Sequence, residues 1–241
     1  MTERVVIVGG TSGIGLATAQ HLVDSGREVV VTGRDTAKLA TALERLGKNA
    51  TGEAVDARDP KALEEFFTGI GQVDHVVVTA TGPSGATPFA ELTTAHLRAG
   101  LEGKLVAHAA VAHAALPVLR EDGSLTLVSA ASDSAGAAMP ATAHLAAVNA
   151  GVEAMVPVLA VELKPLRVNA VSPGVVDTPW WDFLGPEARE QAFAALASAT
   201  PAGRVGRPED IASAISFLID NTFTTGVVLR VDGGARLGSA A

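Results

Sequence analysis

Three glycines near the N terminus have the spacing needed to bind a phosphate group. Gly9, Gly13 and Gly15 follow the apolar, β-forming run 4–8 and open a helical pattern. Gly9 permits a sharp turn off the strand, Gly13 a close approach of backbone to ligand, and Gly15 close packing of the helix on the sheet. The free N–H groups and the positive dipole end of that helix favour a pyrophosphate. The same turn contains Thr11, Ser12 and Ile14, which we expect to line the site.

The elements that position this turn alternate between strand and helix patterns along the whole chain. Predicted strands cover 4–8, 28–32, 50–55, 74–79, 124–129, 166–171 and 227–231, and helical patterns fill the intervals. This alternation predicts one α/β domain over residues 1–241, a Rossmann-like doubly wound parallel sheet of about seven strands. A ligand then binds at the carboxyl ends of the strands. Pro157 should kink or divide the long apolar helix predicted over 140–163.

The glycine turn resembles the nucleotide-binding turn of the short-chain dehydrogenases/reductases, usually Thr-Gly-x-x-x-Gly-Ile-Gly. Val8 stands at the Thr position, and the three glycines and Ile14 match. Segment 167–178 resembles the family's Pro-Gly segment beside the nicotinamide, and 204–212 and 231–234 resemble its C-terminal signatures. The resemblance covers nearly the whole chain. It implies nicotinamide contacts from Pro173, Gly174, Val176 and Thr178.

The resemblance also predicts the cofactor, because the end of the second strand usually decides between NAD and NADP in this family. An acidic residue there binds the ribose hydroxyls, but here Gly33 is followed by Arg34. A guanidinium grips a 2′-phosphate in a charge-assisted fork, which favours NADP(H). In the alternative, Arg34 is a solvated turn residue and Asp35 binds the ribose, although Asp35 also suits a helix N-cap. Further cofactor contacts are expected from Asp56 at the adenine and from Ala80 and Thr81 at the ribose.

The family's usual catalytic residues, a Ser, a Tyr and a Lys helped by an Asn, have no counterparts in the predicted register. The Tyr position falls on His144, the Lys position on Val148, the Ser position on Ala130 or Ala131 and the Asn position near Gly100. The chain contains no tyrosine, so no other register supplies one. The sequence is therefore expected to be an atypical member of the family.

His144 is the predicted replacement proton donor, because imidazole has both protonation states available near neutral pH. Asp133 could orient or charge it, and Ser129 could reach a substrate oxygen. The alternative is that His144 packs on a helix face and that Asp133 and the neighbouring serines form a turn. The chain lacks cysteine and its histidines lack partners at metal-ligand spacing, so no metal site is expected.

An aromatic stretch follows the nicotinamide segment directly. Residues 179–184 contain both tryptophans of the chain and one phenylalanine. In the family the excursion predicted over about 179–203 covers the substrate, so these rings indicate an apolar substrate wall. They could equally pack a subunit contact.

Composition limits the classes of partner. The formal net charge is -8 with no basic block, which argues against nucleic acid and anionic membranes. We find no apolar run that reaches the ~18 residues of a membrane span, and a strand predicted from residue 4 leaves no room for a signal peptide. We therefore expect a cytoplasmic protein. The apolar helices 94–116 and 140–163 predict a homodimer or homotetramer.

The function predicted from the sequence is reduction of a carbonyl, imine or activated C=C group of an apolar small molecule by NADPH. Protonation would follow a non-standard route. The alternatives are a non-redox catalyst on the same fold, such as a dehydratase, isomerase or cyclase, and a non-enzymatic NADP(H)-binding protein.

Overall fold

Seven strands pair in parallel in a single sheet, in the order β3-β2-β1-β4-β5-β6-β7. The structure, a computed structural model, describes residues 2–81, 85–131 and 139–237. The strands are β1 (Arg4–Val8), β2 (Glu28–Gly33), β3 (Ala50–Ala54), β4 (Val73–Val78), β5 (Leu119–Val128), β6 (Arg167–Pro173) and β7 (Val228–Val231). The order reverses direction between β1 and β4, which creates the crevice in which doubly wound folds bind ligands. The predicted fold class is confirmed.

Helices cover both faces of the sheet because the central strands are apolar on both sides. They are α1 (Gly13–Asp24), α2 (Thr36–Leu46), α3 (Pro60–Ile70), α4 (Thr94–Gly100), α5 (Ala107–Ala115), α6 (Ala143–Glu162), α7 (Pro186–Ala199) and α8 (Pro208–Asp220). Val5 and Ile7 of β1 face α1, α2 and α8, whereas Val6 and Val8 face α3, α5 and α6. Two apolar cores, one on each face, thus fix the strand ends that form the site.

The helix predicted over 94–116 contains a π-helical segment, Leu101–Val106, between α4 and α5. Thr93 caps its N terminus, accepting from His96 N at 3.3 Å. A π-helical insertion adds a residue to the turn and is common at functional sites. Gly103 and Lys104 of this segment line the main cavity.

Of the two predicted effects of Pro157, a kink or a division, the second is wrong, because α6 runs through the proline as one helix. Val152 and Val156 are fully buried against the sheet, and this packing outweighs the lost hydrogen bond. By length and composition alone α6 is also apolar enough to cross a membrane, contrary to the sequence-based estimate. Its buried valines identify it as a helix of the protein core.

Candidate functional site

The glycine turn between β1 and α1 is shaped by contacts that only glycine permits. Gly9 and Gly13 have φ values of +92° and +50°. A Cβ atom at Gly15 would lie 2.2 Å from the carbonyl oxygen of Gly9, so the helix could not approach the turn so closely. Ser12 is the N-cap residue of α1. All three glycines, with Thr11, Ser12 and Ile14, line a cavity of about 900 Å³ along the carboxyl ends of the strands.

The end of β2 leaves no room for an acidic side chain. A Cβ at Gly33 would lie 2.6 Å from Cγ2 of Thr11. Arg34 and Lys38 both line the cavity beside the turn. The Asp35 carboxylate accepts hydrogen bonds from Ala37 N at 2.9 Å and Lys38 N at 3.0 Å, so it caps α2 as predicted. The charge that this corner offers to a phosphate is therefore positive.

A second guanidinium at this end of the cavity was missed by sequence reasoning. Arg58 binds the Asp56 carboxylate through Nη2 at 2.6 Å and Nε at 3.0 Å, and both residues line the cavity. These hydrogen bonds hold the pKa of Asp56 at about 2, with a smaller contribution from the charge of Arg34. The spacing of two residues between Asp56 and Arg58 was the available signal, since a carboxylate readily pairs with a nearby arginine.

Ala80 and Thr81 line the middle of the cavity, as predicted. The Ala80 carbonyl oxygen lies 3.0 Å from Nε2 of His108, which reaches it from α5. The Thr79 hydroxyl donates to the carbonyl oxygens of Val8 and Gly9, at 3.1 and 3.0 Å. The β4 loop is thus fixed against the glycine turn.

The opposite end of the cavity is formed after β6. It is lined by Pro173, Gly174, Val176 and Thr178. Trp181 donates its indole N–H to the Val176 carbonyl at 3.0 Å. Trp180 and Trp181 both line the cavity and pack edge to face, with ring centroids 4.8 Å apart. The predicted aromatic wall therefore stands next to the predicted nicotinamide segment.

Of the three predicted catalytic residues, Ser129 and His144 lie in the part of the chain that the structure describes. The Ser129 hydroxyl donates to Glu153 Oε1 at 2.7 Å, so its proton is already engaged. Asp133 lies outside the described residues. His144 is buried, with 4% of its surface exposed, and its Nδ1 atom has no hydrogen-bond partner among the described residues.

Helix α6 contributes three side chains to the cavity wall, and they include one of the two residues at the predicted Tyr and Lys positions. Leu145 and Asn149, four residues apart on the same helix face, line the cavity, and His144 does not. Val148 lines it as well. A Cβ added to Gly100 would lie 3.6 Å from Val148 and 3.9 Å from the His144 ring, so both pack towards α4. Sequence spacing therefore gave the helix and placed Val148 on the side that lines the cavity.

Sequence reasoning also missed Lys104. Its Nζ donates to the Ser129 carbonyl oxygen at 3.1 Å, and its side chain lines the cavity. Burial lowers the pKa of Lys104 to about 8, although the negative charge of Glu153 opposes that shift. The residue lies in an otherwise apolar helical pattern, which is the signal that could have revealed it.

The sequence of this protein is similar to those of known proteins over nearly its entire length. A family profile described as "Enoyl-(Acyl carrier protein) reductase" matches residues 8–236. A putative ketoacyl reductase 2 of the granaticin polyketide synthase from Streptomyces violaceoruber is 35% identical, covering 96% of this chain and 95% of its own. The chain belongs to the short-chain dehydrogenase/reductase family.

Two solved structures of similar proteins extend this assignment. A small-chain dehydrogenase in complex with NADPH matches with a TM-score of 0.82 and 30% identity, over 99% of this chain and 100% of that one. The MalC reductase/Diels-Alderase from Malbranchea aurantiaca matches with a TM-score of 0.88 and 30% identity, over 98% and 96%. The predicted family and the nicotinamide class of cofactor are confirmed by these relatives. The glycine turn and the cavity of this short-chain dehydrogenase/reductase fit such a dinucleotide.

Proposed function

We propose that this protein is an NADPH-dependent reductase that acts on a carbonyl, imine or activated C=C group of an apolar small molecule. The supporting observation is one continuous cavity. It joins the glycine turn and Arg34 at one end to Thr178 and the paired tryptophans at the other. A dinucleotide along the strand ends would therefore present its nicotinamide to an aromatic-walled space. When bound, the cofactor supplies the hydride.

NADPH rather than NADH is proposed because of the charges at the adenosine end. Arg34, Lys38 and Arg58 line this part of the cavity, and Gly33 leaves no space for a carboxylate. The NADPH bound to a structurally similar protein supports the same choice. The alternative in which Asp35 binds the ribose is disfavoured, because that carboxylate caps α2.

We further propose that the reaction proceeds without a tyrosine proton donor, since the chain contains no tyrosine. The side chains that α6 presents to the cavity are Leu145, Val148 and Asn149, none of which supplies an acid. Substrates that need little acid assistance, such as iminium ions and conjugated enones, should therefore react faster than simple ketones.

The test is to follow the absorbance of NADPH while purified protein is offered simple ketones, cyclic imines and conjugated enones. We expect consumption with at least one class and the highest rate with imines or enones. Consumption of simple ketones as fast as of the other two classes would contradict the proposed protonation route. If NADPH binds but none of the three classes is reduced, the reductase proposal fails.

A non-redox cyclisation is the second candidate, and one observation favours it. The structurally similar MalC protein is described as both a reductase and a Diels-Alderase. The aromatic wall here would suit a polyunsaturated substrate folded on itself. Conversion of such a substrate at equal rates with NADPH and NADP⁺ would favour this activity over reduction.

The sequence predicts His144 as the proton donor, and one variant tests that prediction directly. Because its ring is buried and does not line the cavity, we expect His144→Phe to retain the wild-type rate within about tenfold. A general acid in direct contact with the substrate is worth ~10²–10⁴-fold. A loss in that range, with NADPH affinity unchanged, would assign the proton to the imidazole.

For the cell, we propose a cytoplasmic homo-oligomer with no nucleic-acid or membrane partner. The acidic net charge of -8 and the apolar helix surfaces support this proposal.

A further inference from the structure

Lys104 is a partly buried cation that the proposed chemistry has not yet used. It lies in the π-helical segment Leu101–Val106, between α4 and α5, and this segment packs beside α6. Its ammonium group donates one hydrogen bond, to the Ser129 carbonyl oxygen, at 3.1 Å. An ammonium has three N–H donors, and within the described residues no second acceptor for Lys104 is recorded. Such a group is costly to bury unless a ligand completes its hydrogen bonds.

The acceptor of Lys104 lies at the nicotinamide end of the cavity. Ser129 N donates to the Val171 carbonyl at 2.9 Å, and Ala131 N donates to the Pro173 carbonyl at 2.7 Å. These bonds join the end of β5 to the end of β6, where the segment 173–178 begins. The ammonium therefore stands beside the segment that is expected to hold the nicotinamide.

The carboxylate that acts on Lys104 belongs to Glu153, and the two residues do not form an ion pair. Lys104 therefore lacks the partner that a purely structural lysine would have. Glu153 accepts hydrogen bonds from the hydroxyls of Ser129 and Ser172, both at 2.7 Å, and its other oxygen is 3.7 Å from Arg230. Its charge favours the ammonium form of Lys104 from beyond salt-bridge distance. Burial outweighs this effect and lowers the pKa of Lys104 to about 8, so the ammonium form still predominates at neutral pH. Its side chain lines the cavity and has N–H donors beyond the one that binds Ser129.

Helix α6 presents no cation at this place. The residues it contributes to the cavity wall include Leu145, Val148 and Asn149. Gly100 and Gly103, on the turn that precedes Lys104, also line the wall. The absence of side chains at both glycines leaves space for the lysine to reach the cavity from the opposite helix.

We propose that Lys104 supplies, from the π-helical segment, the positive charge that binds the nicotinamide ribose hydroxyls, a role for which the family pattern uses a lysine on the helix corresponding to α6. The proposal rests on the proposed NADPH function, because it requires the nucleotide to occupy this cavity. Lys104 is in this view a cofactor-binding residue, and moving the cation between the two helices should preserve its role.

The first experiment measures NADPH binding, by fluorescence and by calorimetry, to the wild type and three variants. Lys104→Met should weaken binding by about 10- to 100-fold, the range for a hydrogen bond to a charged group. Lys48→Met, which changes an exposed lysine in the loop after α2, should bind like the wild type. The double variant Lys104→Met/Asn149→Lys, which places the cation on α6, should recover most of the lost affinity.

The outcomes separate this inference from the proposed function. If the wild type does not bind NADPH, the proposed function fails. If the wild type binds and Lys104→Met binds equally well, the function stands and the assignment of Lys104 is wrong. Lost binding that Asn149→Lys does not recover, in a Lys104→Met variant with a native circular dichroism spectrum, would indicate a structural role and would also overturn it.

A second experiment uses the wild type and does not depend on how the variants fold. Lysines are acetylated with limiting reagent, with and without saturating NADPH, and the modified sites are quantified by mass spectrometry. NADPH should protect Lys104 at least fivefold, while Lys48 in the same sample should react equally in both. Equal acetylation of Lys104 with and without NADPH would overturn the proposal.

Discussion

At the scale of single residues, the charges around the end of β2 decide which dinucleotide the cavity accepts. Arg34 and Arg58 border this corner, and Asp35 is held by the backbone of α2. Hydrogen bonding from Lys38 N lowers the pKa of Asp35, so this carboxylate stays ionised and committed to its cap. A 2′-phosphate would meet two guanidinium groups and no free carboxylate among these residues.

Arg34→Ala should therefore weaken NADPH binding and leave NADH binding nearly unchanged. Removing one charge-assisted hydrogen-bond partner is expected to cost ~1.5–3 kcal/mol of NADPH affinity. Calorimetric titration of both nucleotides measures the effect, and Arg45→Ala, at an exposed position near the C-terminal end of α2, serves as the control. Equal affinity of the unmodified protein for NADPH and NADH would contradict the assignment.

A second residue-scale effect concerns stability at acidic pH. His108 is fully buried, and this burial, reinforced by the charge of Lys104, lowers its pKa to about 3 despite the opposing hydrogen bond to Ala80. The folded state therefore keeps His108 neutral, while the unfolded chain takes up a proton below its ordinary pKa of 6.5. The contribution of His108 to the free energy of unfolding is therefore complete above pH 6.5 and declines as the pH falls towards 3.

We expect His108 alone to account for up to about 5 kcal/mol of this decline, at 1.36 kcal/mol for each pKa unit. The glutamine amide of His108→Gln can still donate to the Ala80 carbonyl but does not titrate. Urea unfolding at pH 7 and pH 5 should accordingly show a smaller loss of stability for His108→Gln than for the wild type. A loss of the same size in both proteins would show that other groups govern acid unfolding.

The residues that the sequence predicted well are those whose role follows from local pattern. The glycine turn and the Asp35 cap depend on neighbours within a few positions, so spacing alone was sufficient. Lys104 acquires its role from the Ser129 carbonyl oxygen, 25 residues away, which only the fold brings next to it. The hydrogen bond of Ser129 to Glu153 likewise joins two elements 24 residues apart.

At the scale of elements, the orientation of α6 determines which chemistry the cavity can support. Leu145 and Asn149 lie on the cavity wall, whereas His144 is buried towards α4. A rotation of one residue is invisible to hydrophobic pattern in this helix, because it is apolar on nearly all sides. The sequence could therefore predict the helix but not which of its side chains point into the cavity.

This orientation makes a restoration experiment specific. Ala130→Ser/Leu145→Tyr/Asn149→Lys should gain reductase activity on simple ketones, because the new tyrosine and lysine share the face that lines the cavity. The matched triple variant Ala130→Ser/His144→Tyr/Val148→Lys should not, since its tyrosine lies off the wall. Both are assayed with NADPH after binding is verified. A gain of ketone reduction in the second variant and none in the first would support the register predicted from the sequence.

The π-helical segment is an element that periodicity could not predict. Its residues continue the apolar pattern of α4 and α5. The change from α to π geometry rotates the following side chains about the helix axis by part of a turn. Gly103 and Lys104 reach the cavity from within this segment. Leu105 of this segment packs closely on Gly151 of α6, where an added Cβ would lie only 2.9 Å from the leucine side chain.

At the scale of the whole molecule, the outer surfaces of two neighbouring helices remain apolar after folding. Leu97 and Leu101 are 42% and 40% exposed on the helices before α5, and Val158 and Val161 are 61% and 72% exposed on α6. Val106 adds to the first group. A helix that covers a sheet needs only one apolar stripe, so these side chains are available to a second subunit.

We therefore predict that the protein is a dimer or tetramer at micromolar concentration, with these helices at the contact. Val106→Glu/Val161→Glu should shift the mass measured by light scattering towards the monomer, because the contact would then bury like charges without partners. Ala40→Glu, on the exposed face of α2, adds charge on the other side of the sheet and should leave the mass unchanged. A wild type that is monomeric, or a double variant with the wild-type mass, would show that these helix faces do not form the interface.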